Sequence, residues 1–162
     1  MRHAALTLSS VLAVGLGLAA SASAQGNPRG KASLTLAGKP IVVEYGRPSL
    51  KGRDMLGKAA VGAEWRMGAD SATTLETPVG LSFGPTRVAP GAYVLRAKKV
   101  SDTEWVLKLV RDGQAAAEVP LQVSPLDTSV ELFTIDLAEE QGQGVFRMSW
   151  GRLALATRFT AK

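Results

Sequence analysis

The residues best suited to chemistry crowd into one short stretch, VVEYGRPSLKGRDMLG, from Val42 to Gly57. Arg47, Lys51 and Arg53 lie within it and Lys58 directly follows, with one acid, Asp54, between the first and last of these cations. Pro48 stiffens the chain, and Gly46 and Gly52 permit tight turns that expose backbone N–H groups. Such a loop suits capture of a phosphate, sulfate or carboxylate. Ser49 counts with these cations, and Arg66 and Asp70, on one face of the next strand, add a second cation and an orienting acid. The candidate ligand-binding set is therefore Arg47, Ser49, Lys51, Arg53, Arg66 and Asp70. A competing reading pairs Arg47 and Arg66 with Glu44, Glu64 or Asp70 across neighbouring strands and leaves Lys51 and Arg53 in solvent. The planar guanidinium fork serves that role equally well.

Other chemistries narrow quickly. GRPSLKGR has the wrong glycine spacing for a phosphate-binding P-loop, ends in Gly-Arg, and precedes no helix. The one histidine is His3 and there is no cysteine. Histidine-dependent triads, Cys-His pairs, His/Cys zinc sites and disulfides are thus closed to the chain after His3. No calcium-loop pattern occurs, and no cofactor is expected. Glu44, Glu64 and Asp70 are the carboxylates nearest one another for acid/base catalysis, but each has an arginine within reach that would keep it ionised. Trp65, Trp105 and Trp150 would make a sugar-stacking platform if exposed; their places on the apolar faces of their strands favour the core.

The N-terminus reads as an address rather than as structure. MRHAALTLSSVLAVGLGLAASASAQG has a short positive start, an apolar run from Leu6 to Ala20, and small residues at Ala22 and Ala24. That is a secretory signal occupying residues 1–24, since the run falls short of the roughly 18–20 residues of a bilayer span. The expectation is a periplasmic or secreted product with no membrane insertion after cleavage. Residues 25–38 form a polar lead-in and first short strand, and residues 39–162 a single domain. The formal charge of the whole sequence is +5, with cations spread along the chain. Nucleic acid is not expected as a partner.

The elements that must position these groups are strands. Ile41, Val43 and Tyr45 alternate with Val42 and Glu44; Trp65, Met67 and Ala69 with Glu64, Arg66 and Asp70; Tyr93, Leu95 and Ala97 with Val94, Arg96 and Lys98. EWVLKLV, ELFTIDL, VFRMSW and RLALATRF repeat the pattern, the period of a half-buried strand. Pro90-Gly91, Asp112-Gly113 and EEQGQG supply turns. AEVPLQV reads as an edge strand because Pro120 has no N–H to give a ladder. Only Asp54 to Ala60 suggests a helical turn. The fold expected is all-β: an antiparallel β-sandwich or jelly-roll-like domain of about nine or ten short strands.

VEYGRPSLKGR, EWRMGADSATT, VAPGAYVL, EWVLKLV and FTIDL occur in the order seen in the bacterial domain-of-unknown-function family 2911, which this chain resembles. Met67 stands where that family commonly has Thr and Asp70 where it commonly has Asn. The segment from Arg111 to Val130 lacks the family's aromatic-rich loop. The resemblance implies an exported single β domain, brings no established activity and leaves function open. Three functions remain: a non-enzymatic module binding a small anion or an envelope component, a small hydrolase working through Glu64 or Asp70, and a structural or interaction module with no ligand. Oligomeric state is open.

Overall fold

Alternating apolar and polar residues become ten strands, with no helix among the described residues. The computed structural model describes residues 26–162; residues 1–24, expected to be a secretory signal, lie outside them. The strands are β1 (Arg29–Leu36), β2 (Lys39–Gly46), β3 (Glu64–Trp65), β4 (Thr74–Thr77), β5 (Leu81–Phe83), β6 (Thr86–Val88), β7 (Gly91–Lys99), β8 (Trp105–Arg111), β9 (Gln114–Glu140) and β10 (Gln143–Ala161). All pair antiparallel in one continuous sheet of order β1-β2-β4-β7-β8-β9-β10-β5-β6, and β3 pairs with β7. The all-β antiparallel expectation holds, including its strand number.

Two-residue turns fix much of the register. Ala37-Gly38, Asp112-Gly113 and Gln141-Gly142 all have both residues at positive φ, between 51° and 76°. This is the mirror-image turn whose twist matches that of paired strands. They join β1 to β2, β8 to β9 and β9 to β10. Pro90-Gly91 serves differently. Gly91 has φ +143°, but β6 before it pairs with β5 while β7 after it pairs with β4 and β8. The turn is a corner between two parts of the sheet, not a hairpin.

Two strands are far longer than expected. AEVPLQV and ELFTIDL are both part of β9, and VFRMSW and RLALATRF are both part of β10. Gly151, with φ +66°, sits at a register irregularity of the β9–β10 ladder, so it bulges the strand rather than ending it. Residues 114–121 of β9 pair with β8 alone, which suits Pro120; from Gln122 onward the strand pairs with β10. This crossing folds the sheet on itself and encloses the core. Tyr45 of β2 meets Phe133 of β9 edge-on at 5.6 Å, and Trp65 of β3 stacks on Trp150 of β10 at 5.3 Å. Ile41, Val43, Leu95, Leu107, Leu109, Ile135 and Leu155 fill the interior as their alternation requires.

EWRMGAD departs from its expected strand. Only Glu64 and Trp65 pair; Met67, Gly68 and Asp70 then take positive φ of 56°, 146° and 61°. The cause is close packing of this turn on Gly46, where an added Cβ would stand 2.1 Å from the Ala69 carbonyl oxygen. Gly46 is needed for that approach rather than for a turn.

Candidate functional site

The loop after β2 is tied to β9. Arg47 N–H donates to Pro28 and Leu50 N–H to the Glu131 backbone carbonyl, while Phe133 N–H donates back to Pro48. Arg47 Nε donates to the Phe133 carbonyl at 3.2 Å and Nη2 to Thr134 Oγ1 at 3.0 Å. Ser49 Oγ and Lys51 N–H both donate to the Glu131 carboxylate. Those donors, led by the Ser49 hydroxyl, hold the Glu131 carboxyl below its ordinary range. The backbone N–H of Lys51 therefore serves a carboxylate of the protein itself. Lys51 and Gly52 form a tight turn with φ of 49° and 75°, and Arg53 donates to the carbonyls of Leu50 and Ser49 through Nε and Nη2.

The six candidate residues do not gather around one point. Arg47, Ser49 and Lys51 anchor the loop to β9, and Arg53 faces the cavities described below. Arg66 is exposed beside Ala72, Val94 and Arg96 in a separate concavity. Asp70 accepts from the backbone N–H and side-chain amide of Asn27. The expected ion pairs of Arg47 and Arg66 with Glu44, Glu64 or Asp70 are replaced by others. Glu44 meets Lys31 at 3.2 Å, and Glu64 meets Arg96 at 3.0 Å and Lys108 at 2.6 Å. Arg47 instead satisfies a strand end whose carbonyl and hydroxyl lie within reach of its fork.

The larger concavity lies on the other side of Arg53. A cavity of about 630 Å³ opens between residues 52–65 and the sheet, within the size of small-molecule sites. Trp65, Trp105 and Trp150 line it together with Met55 and Leu56. Trp105 and Trp150 are each only 3% exposed, so the core reading of these residues holds, yet their faces also form the cavity wall. Trp65 is half-buried, packed on Phe133 at 4.8 Å and stacked on Trp150. Its charged lining residues are Arg53, Asp54, Lys58 and Glu64.

These four charges are unequal. Glu64 is neutralised by Lys108 and Arg96, and the Lys108 hydrogen bond is the main cause holding its carboxyl below the ordinary range. Asp54 Oδ1 accepts from Gly57 N–H at 2.9 Å, capping the tight turn over Met55 to Lys58. Arg53 keeps Nη1 outside its two loop hydrogen bonds, and Lys58 makes no ion pair among the described residues. Lys99, from the end of β7, has a side chain 7% exposed and donates through Nζ to the Ala59 carbonyl at 2.9 Å, holding the loop wall against the sheet. No cluster of three metal-ligating side chains occurs among the described residues.

Residues 27–159 match the model of a family described as a protein of unknown function, DUF2911. The chain belongs to that family. No curated protein and no solved structure matches it. Within this DUF2911 domain, the two single-residue departures from the family pattern, Met67 and Asp70, fall in the turn packed on Gly46. Met67 is fully buried, with its carbonyl accepting from the buried Thr73 hydroxyl, and Asp70 ties down Asn27. Glu131 and Lys108 were not legible in the sequence because each meets its partner, Ser49 and Glu64 respectively, across a long stretch of chain. Lys99 carried a signal: it shares parity with Tyr93, Leu95 and Ala97, the buried face of β7.

Proposed function

We propose that this DUF2911 protein is an exported, non-enzymatic binding module for a small organic anion with an apolar ring or chain. The tryptophan-lined cavity takes the apolar body, and Arg53 and Lys58 take the acidic group. The observation carrying this reading is that all three tryptophans of the sequence line one cavity where Glu64 is held by Lys108 and Arg96, leaving two cations, Arg53 and Lys58, against the one acid Asp54. An apolar cavity wall with a few placed polar groups is the usual makeup of a ligand site. Arg47, Ser49 and Lys51 then serve to hold the loop that presents Arg53. The signal-like residues 1–24 support a periplasmic or secreted location, where an envelope component with this chemistry is an available ligand.

A hydrolase fits less well. Acid catalysis near neutral pH calls for a carboxyl with a raised pKa, and Glu64, beside the cavity, has the opposite shift. A module with no ligand leaves the cavity without a role.

Thermal melts of residues 25–162 with cyclohexylacetate, and with its uncharged amide, separate these readings. At about 100 times its dissociation constant a ligand adds about 2.7 kcal/mol of stability, several degrees for a domain of this size. The acid should raise the melting temperature, the amide should do so much less, and Lys58→Ala should weaken the response. No shift with the acid, or an equal shift with the amide, overturns the proposal.

A further inference from the structure

Arg53 and Asp54 line two cavities. The second, of about 320 Å³, lies against Leu50, Ser129, Arg152 and Leu153. Arg152 follows the Gly151 bulge, a device that re-aims side chains in a strand, and its Nη1 donates to the Asp127 carbonyl at 2.9 Å. It pairs with no carboxylate among the described residues. Two guanidinium groups, each steadied by backbone carbonyls, therefore flank a concavity that adjoins the tryptophan-lined one.

We infer that the two cavities form one groove and that its ligand is extended: an apolar ring, a hydrogen-bond donor, then one or more further acidic groups. The inference rests on the reading of the tryptophan-lined cavity as a ligand site. The ring packs on the tryptophans. Asp54, shared by both cavities and bonded through Oδ1 to Gly57, keeps Oδ2 for an N–H or O–H of the linker. The second acid falls between Arg53 and Arg152, where planar forks favour a carboxylate or phosphate. An acylated acidic amino acid has this order of groups.

Calorimetric titration with two probes tests the inference. Cyclohexylacetate reaches the first cavity only, whereas N-(cyclohexylacetyl)aspartate has an amide in place of that carboxylate and carries two carboxylates beyond it, a net gain of one N–H and one negative charge. The longer probe should bind about tenfold more tightly or better, the worth of roughly one charge-assisted hydrogen bond. Arg152→Gln should remove that advantage and Arg152→Lys should keep part of it, while both bind cyclohexylacetate as wild type does. Equal affinity for the two probes, or an advantage that survives Arg152→Gln, overturns the extended groove and leaves the first cavity standing. Failure of both probes to bind wild type overturns the first cavity as a site for such anions, and the groove with it.

Discussion

Glu64 holds its charge between Lys108 and Arg96 while only about a third exposed, with 31% of its side chain accessible. Its carboxyl is lowered from 4.5 in the folded state. A lowered folded value contributes stability that is present above the unfolded pKa and lost as pH falls through the folded one. Denaturant midpoints should therefore fall on acidification below about pH 4.5, and Glu64→Gln should show less of that fall. At pH 7 the variant should be less stable by about 1 kcal/mol, the scale of a partly exposed ion pair. Glu131 shifts in the same direction, its cause being the Ser49 hydroxyl; NMR titration should find both carboxyls protonating below the ordinary range, and Ser49→Ala should return Glu131 toward it. Gly46→Ala should cost about 2–3 kcal/mol, because its Cβ meets backbone rather than a side chain that can yield. At this scale the sequence revealed the clustering of charges on the Arg47–Arg53 loop, though not that Arg47 reaches β9 while Arg53 bonds the carbonyls of its own loop. It concealed their partners, since Glu131 lies on a strand remote in sequence and Arg47 chose a carbonyl over an acid.

The segment 52–63 between the loop turn and β3 has no ladder of its own and depends on three ties to the end of β7. Gly62 N–H donates to the Lys99 carbonyl, Lys99 N–H to Ala63, and Lys99 Nζ to Ala59. Lys99→Met keeps the stem but strands the Ala59 carbonyl, so it should destabilise by about 1–2 kcal/mol. Amide exchange should accelerate most at Gly62 and Lys99, leaving the centre of β8 protected until global unfolding. The strand positions of β2, β7 and β8 were legible because each buries one face. The strand at Glu64 was cut short by a condition no periodicity encodes: the next turn must pack on Gly46.

At the scale of the molecule, β9 and β10 carry the sheet around and bring β3 against β10, so that Trp65 and Trp150 meet. The sequence showed both halves of each long strand and an apolar parity for all three tryptophans. What it could not show was that Gly151 bulges rather than stops β10, since glycine serves either purpose. The cavity follows from that closure, and with it the claim that function resides at the tryptophans and not at Arg47.

Tryptophan emission decides this most directly, because every tryptophan lines the cavity and cyclohexylacetate does not itself fluoresce. Titration of wild type should change the emission saturably, Lys58→Ala should shift the midpoint to higher concentration, and Lys51→Ala, outside the cavity, should follow wild type. An emission that never responds, or a response abolished by Lys51→Ala and untouched by Lys58→Ala, would contradict the account and return the site to the loop.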